Sequence, residues 1–458
     1  MRMLLANSAL ALVLSTVALA QSPAPQNSSQ TPPQVPHVTT AAPSIPMPQI
    51  LPAILIKHGE VHTVGAAGTL KDADVLIQNG KVAAVGQNLS APPGAKVIDA
   101  KGKPVTPGLM VSYSQLGIEE IEGGAQETND TTRDSDIDNA AYNAVDAINP
   151  ESTLIPVARI RGVTRALTGP VFREGVFDGQ AAIIDLGLGP NIVDKVQAGM
   201  LAQLSHTEDK PHQTRADLWA EFRETLDDAR EYWAQRAGYH RPGGARDQRS
   251  FRIDLDALGP VIQGKEPLIV KADRASDMRR IIAYCQQNHI KLIILGAAEG
   301  WRMAHELAAA QVPVILDTEQ NLPESFSQLG ATLKNAALLD AAGVKVLFEP
   351  QSDDPGHYAR TITQIAGIAV AYGMPWEHAL AAITKNPSEA FGLADSYGTL
   401  EVGKDGDVVV WDGDPLEVTS APTAVFIKGQ VIPMRSRQTE LRDRYRDLDK
   451  KSPRFGYR

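Results

Sequence analysis

Residues Glu266–Glu319 read EPLIVKADRASDMRRIIAYCQQNHIKLIILGAAEGWRMAHELAAAQVPVILDTE. Three short apolar runs, in EPLIVKADR, KLIILGAAE and VPVILDTE, alternate with two helical stretches, ASDMRRIIAYCQQNH and EGWRMAHELAAAQ. Near-continuous apolar strands separated by helices are what a parallel sheet covered on both faces requires. The same grammar extends outward, to QAAIIDLG upstream and to SQLGATLKNAALLDAAG and VKVLFEP downstream. The pattern predicts an α/β fold, a (β/α)8 TIM-like barrel over residues 105–395, with an open doubly wound sheet as the alternative. The fourth strand is not placed. It falls between Asp185 and Phe251, where a charged helix (Ala216–Gln235) and a basic Gly-Pro loop (Arg241–Arg252) intervene.

The two chain ends are written differently. AILIKHGEVHTV, DVLIQNGKVAAVG and AKVIDAKGKPVTPGLMV read as short strands, and Asn79-Gly80 between apolar runs is a type I′ hairpin signal because both residues accept positive φ. GDVVVWDGD and AVFIKGQVI repeat the theme near the C-terminus, with a hairpin at Lys428-Gly429. Residues 53–104 and 396–434 are therefore expected to form one composite β-sandwich domain, followed by a charged tail over 435–458.

Upstream, Met1 and Arg2 precede the mostly apolar run Leu4–Val17, which ends in Ala18-Leu19-Ala20, a small-x-small cleavage pattern. The run is too short, and too often interrupted by Asn7, Ser8, Ser15 and Thr16, to span a bilayer. Residues 1–20 are expected to be a signal peptide, and the mature chain periplasmic or secreted without a membrane span. Residues 21–52, rich in Pro, Gln, Ser and Thr, read as a disordered linker. The 458-residue chain is 43% hydrophobic with a formal charge of −10, which suits a globular protein and argues against nucleic acid as a partner. Cys285, the single cysteine, sits in a pattern that reads as a buried helix face.

Three stretches together resemble the amidohydrolase superfamily, in particular its imidazolonepropionase-like and adenine-deaminase-like secreted members. They are DADVLIQNGKVAAVG with KVIDAKGKPVTPGLM, then AYGMPWEHALAAITKNPSEAFGL, then YGTLEVGKDGDVVVWDGDPLEV. Weaker likeness in NPESTLIPVARIRGVTRAL, EPLIVKADRASDMRRII and EGWRMAHEL joins them, so the resemblance runs from Ala53 to Pro433. It implies a distorted (β/α)8 TIM-like barrel with one or two divalent metals at the C-terminal strand ends, activating water for attack at carbon–nitrogen bonds. The family's ligands are a His-x-His pair on strand one, a modified lysine or acid on strand four, single histidines on strands five and six, and an aspartate on strand eight.

Set against that pattern, PGLMVSYSQLG puts Tyr113 and Gln115 where the histidine pair stands. Lys271 replaces the strand-five histidine, and Gly296 stands at the strand-six position. Pro350 or Gln351 falls at the expected aspartate, with Asp353 and Asp354 just beyond. Zinc requires neutral imidazole, thiolate or carboxylate donors, which a phenol, an amide, an ammonium and a hydrogen do not supply. No metal cofactor is expected, zinc returning only if the family activity survives. Of the ten histidines, only His357 follows a barrel strand.

The remaining chemistry is sparse. Lys271 is either a desolvated amine acting as nucleophile or base, or a fixed cation standing in for the lost metal charge and pairing with Asp353, Asp354 or Glu299. The acidic loop Glu119–Asp138 contains Asp134-x-Asp136-x-Asp138, but Asn139 replaces the glycine and Val145 the bidentate acid of a calcium loop. Two readings follow. One is a divergent hydrolase acting on carbon–nitrogen bonds of small cyclic amides, amidines or peptide-like compounds, with Lys271, Glu299, Asp353, Asp354 and His357 as catalytic candidates. The other is a non-catalytic homologue serving as a binding or assembly partner of an intact amidohydrolase. A small amide-type ligand and homo- or hetero-oligomers with a related chain are the partners these readings imply.

Overall fold

In the computed structural model, Leu268–Ala272, Leu292–Gly296, Val314–Leu316 and Val346–Phe348 are adjacent parallel strands of one sheet, as their apolar runs require. The structure describes residues 51–120, 129–132, 139–172, 175–204, 214–235, 250–319, 323, 325–350 and 355–446, all within the compact unit Ile45–Arg458. Residues 1–50, which hold the expected signal peptide and most of the expected linker, lie outside the described residues.

The chain opens with β1 (Ala53–His62), β2 (Thr69–Gln78), β3 (Lys81–Gly86), β4 (Lys96–Asp99) and β5 (Pro104–Pro107). The barrel strands follow: β6 (Leu109–Ser114), β7 (Val163–Thr168), β8 (Phe177–Asp185), β9 (Val193–Gln203), β10 (Leu268–Ala272), β11 (Leu292–Gly296), β12 (Val314–Leu316) and β13 (Val346–Phe348). The chain then returns through β14 (Val408–Trp411), β15 (Pro422–Ile427) and β16 (Gln430–Val431).

Two eight-stranded sheets result. In the first, β5 pairs with both β1 and β14, so the two chain ends share one hydrogen-bonded sheet. Its hairpin turns Asn79-Gly80 and Lys428-Gly429 all have positive φ, as the sequence predicts. The two turns also touch: a Cβ on Gly80 would lie 2.9 Å from the Lys428 carbonyl oxygen. The second sheet runs from β13 to β6, and these end strands lie beside each other to make a nearly closed barrel.

The barrel departs from eight uniform strand–helix units. β8 is antiparallel to both β7 and β9, so these three form a meander with no helix between them. The missing fourth strand is β9. The charged helix follows it, as Arg215–Gln235. Elsewhere helices cover the sheet. Ala275–Gln287 buries Ala275, Met278, Ile281, Ile282 and Cys285, a stripe at three- and four-residue spacing. Burial pushes the Cys285 thiol up to about 12, so it stays a packed, protonated side chain.

Inside the barrel, Met110, Leu167, Ala181, Leu201, Ile269, Leu295, Ile315 and Leu347 pack together. Strand alternation then aims the residue two positions on, toward the C-terminal strand end, at the barrel mouth. The opposite end carries a different device. Arg165, with a side chain 1% exposed, contacts Asp194 at 2.6 Å, Asp405 at 3.1 Å and Asp407 at 2.5 Å. Lys428 reaches Asp185 at 2.7 Å and Asp194 at 2.5 Å. This network joins β7, β8 and β9 to the sheet formed by the chain ends.

Candidate functional site at the barrel mouth

Ile269 packs inside the barrel, so Lys271 two residues later projects into the mouth. Its Nζ lies 5.2 Å from the centroid of Phe172, a favourable seat for a cation on an aromatic face. Among the described residues no carboxylate comes within 4.0 Å of it. Phe172 also packs on Tyr113, with ring centroids 5.5 Å apart. On the neighbouring strand, Gln203 is the register partner of Lys271.

Tyr113 is only 5% exposed and donates its hydroxyl to the Pro170 carbonyl at 2.6 Å. Burial, reinforced by Glu349 and Asp178, raises its pKa well above the ordinary phenol value, so it remains neutral. Gln115 is 2% exposed and donates through Nε2 to the Tyr113 oxygen at 3.5 Å, while its Oε1 has no hydrogen-bond partner among the described residues.

The acid that directly follows β13 is Glu349, one position before Pro350 and two before Gln351. Leu347 points inward, so Glu349 does too, and its N–H donates to the Leu316 carbonyl at 3.0 Å. Only 2% of Glu349 is exposed. Burial pushes its carboxyl up to about 8, with Asp317 and Asp273 reinforcing the shift and Lys271 opposing it. It therefore holds its proton at neutral pH. The alternation Leu347-Phe348-Glu349 carried the signal that could have found it.

Gly296 ends β11 with φ +92°, and a Cβ there would lie 2.7 Å from Asp273 Oδ1. A side chain at this position would strain the backbone and require Asp273 to shift. Asp273 is held by Gln328 Nε2 and the Ala298 N–H, each at 3.2 Å. The expected partnership of Lys271 with Glu299 is not formed. Glu299 instead pairs with Arg302 at 3.0 Å and accepts from the Ala275 N–H at 3.1 Å, closing the loop after β11. His357 lies in the short helix Pro355–Tyr358 after β13, its ring against Tyr358. Asp353 and Asp354 lie outside the described residues, as do Asp134, Asp136 and Asp138 of the acidic loop. Glu119 and Glu120 at its start bind Asn129 and Thr153 respectively.

These donors do not fit a divalent cation. A neutral phenol, two amides, an ammonium, a glycine without a side chain and a protonated carboxyl offer neither the charge nor the nitrogen ligands that zinc requires. A separate cleft of about 510 Å³ lies at the other end of β13, between the β1–β2 turn and the helix Trp376–Ala382. His62 and Trp376 meet there with ring centroids 4.7 Å apart, and His378 binds Asp340 at 2.8 Å. It is remote from the strand ends that form the mouth.

Comparison with known proteins places this architecture. Residues 271–432 match the model of the amidohydrolase family. The amidohydrolase tasK of Hapsidospora irregularis is 23% identical over 389 residues, an alignment covering 78% of this chain and 39% of that protein. A dihydroorotase of Pelotomaculum thermopropionicum is 24% identical, covering 84% of this chain and 94% of the relative. The crystal structure of an amidohydrolase from Thermotoga maritima superposes with a TM-score of 0.74 at 26% identity, over 83% of this chain and all of that one. The barrel, the order of its strands and these relatives together support the amidohydrolase superfamily as the group this chain resembles.

Proposed function

We propose that this chain is a superfamily member that has given up metal-dependent hydrolysis and keeps its barrel mouth as a recognition site, working as a binding or assembly partner of an intact relative. The observation that carries this reading is Lys271. An ammonium occupies the strand-five position, beside a glycine at strand six that carries no ligand and whose φ of +92° disfavours any side chain. A fixed cation there repels a divalent ion and replaces part of its charge.

Elemental analysis of the purified mature protein, dialysed against low zinc, tests the reading. A content far below one metal per chain is the expected result. One zinc or more per chain, retained on dialysis, overturns it.

A second reading has its own support. Protonated Glu349 stands within the electrostatic reach of Lys271, a pairing of acid and amine suited to carbon–nitrogen bond hydrolysis. Screening the metal-free protein against cyclic amides and dipeptides separates the two, since turnover lost in Lys271→Met favours the enzyme. Export belongs to the same proposal. The N-terminus of the periplasmic or secreted form should begin at Gln21, and a mature chain still starting at Met1 would refute cleavage.

A further inference from the structure

We infer that the barrel mouth binds a small organic monocarboxylate, its anionic end on the Lys271 ammonium beside Glu349 and its apolar body against Phe172 and Tyr113. The inference rests on the metal-free reading above and names the ligand class of that site.

Three observations carry it. Among the described residues no carboxylate lies within ion-pair distance of Lys271, and its side chain is only partly buried. The aromatic pair Phe172 and Tyr113 stands beside it as an apolar wall. The surrounding acids leave that charge available. Asp273 is already bound by Gln328 and the Ala298 N–H, Asp317 accepts from the Glu319 N–H at 2.9 Å, and Glu349 is neutral at pH 7. A protonated carboxyl beside an ammonium supplies two donors to one carboxylate, a charge-assisted arrangement.

The same groups set the limits of the ligand. Asp317 and Asp273 lie near enough to raise the Glu349 pKa, so a dianion such as phosphate would meet more repulsion than a single ammonium offsets. A neutral amide of the same shape forgoes the ionic contact. The groups acting on Glu349 are Lys271, Asp317, Asp273 and Tyr113, and only Lys271 among them favours ionisation. As pH rises through about 8, Glu349 becomes an anion and turns from donor to repellent. Binding should fall over that interval.

Calorimetric titration of the full mature chain with acetate, benzoate and phenylacetate, against acetamide, benzamide and phenylacetamide, tests this. At least one carboxylate should bind about tenfold or more tightly than its amide, and Lys271→Met should weaken it by a similar factor. Glu349→Gln should abolish the decline above pH 8. A metal-free wild type that binds none of the three acids, or a Lys271→Met variant that binds them equally well, overturns the inference alone. A pH decline that persists in Glu349→Gln overturns the part given to Glu349. Carboxylate binding that disappears on treatment with a chelator would instead overturn the metal-free reading on which the inference stands.

Discussion

The two ends of the barrel each hold a cation in a recessed place, and they treat it in opposite ways. At the end facing the terminal sheet, Arg165 meets three carboxylates at 3.1 Å or less, and Lys428 meets two more contacts in the same network. Burial alone would lower the Arg165 pKa, but Asp407, Asp194 and Asp185 together raise it above the ordinary value. At the mouth, Lys271 rests on an aromatic ring, and no described carboxylate is within 4.0 Å. A charge saturated by fixed partners is committed to holding elements together. One with no described carboxylate partner is the candidate to meet a ligand.

The largest test removes half of the saturated end. Truncation after Leu393 deletes β14–β16 together with Asp405 and Asp407. It exposes the apolar faces of β1 and β5 and leaves Arg165 buried with one carboxylate contact. Insoluble protein is the expected outcome of expression, whereas deletion of residues 21–48 should leave the melting temperature nearly unchanged. A soluble truncation that unfolds cooperatively would refute the shared sheet as a single folding unit.

Arg165→Met is the point version. It leaves Asp407 without its ion-pair partner, while Asp194 keeps Lys428 and Asp405 keeps Lys81, and breaking a buried ion pair from one side typically costs about 3 to 5 kcal/mol. Burial already pushes Asp407 up to about 6 against the pull of Arg165 and the Lys428 N–H, so some of that loss would be recovered by proton uptake. Urea denaturation at pH 7 measures it. A loss under about 1 kcal/mol would mean that the network is ornamental and the contrast between the two ends is false.

This contrast was only half legible in the sequence. The strands β10 to β13 announce themselves because both their faces are covered, which forces apolar runs such as Leu268–Val270 and Leu292–Leu295. β9 hides because its first half, from Val193 to Gln197, is mostly exposed and reads as loop, and only Ala198–Gln203 is fully buried. The antiparallel direction of β8 leaves no mark, since burial on both faces looks the same in either direction. Lys271 and Gly296 stood out against the family pattern. Glu349 did not, because β13 spans only three residues and its register could be read one or two positions late. The Arg165 network was out of reach altogether. Its acids Asp405 and Asp407 lie some 240 positions downstream, and no periodicity links residues so far apart.

Glu349→Gln probes the mouth from the acid side. The folded-state pKa of about 8 stands above the ordinary 4.5, so this carboxyl favours folding while protonated, and that contribution is lost as pH climbs through about 8. The amide keeps the shape and cannot ionise. The variant should therefore be more stable than wild type at pH 9, by a few kcal/mol at most given about 1.4 kcal/mol per pKa unit, with the gap closing toward pH 5. Thermal melts across that range check the sign. A variant less stable than wild type at pH 9 would show that Glu349 is ionised and paired in the folded protein.

Lys271→Met should have the smallest effect on stability, and it decides between the two ways of holding a cation. Were Lys271 a structural ion like Arg165, its removal would leave a buried anion without a counter-charge. The described acid on which Lys271 acts is Glu349, which already carries its proton at neutral pH, while Asp273 keeps its hydrogen bonds from Gln328 and the Ala298 N–H. Methionine preserves most of the stem and packs favourably against Phe172 through its sulfur. The melting free energy at pH 7 should change by no more than about 1 kcal/mol, in either direction. Withdrawing the ammonium also removes the one group that eases ionisation of Glu349, so the acid's pKa should rise further in the variant. A destabilisation approaching that of Arg165→Met would place Lys271 among the fixed ions and close the mouth to any visiting carboxylate. A neutral change, with carboxylate binding lost, leaves the ammonium with no role except recognition.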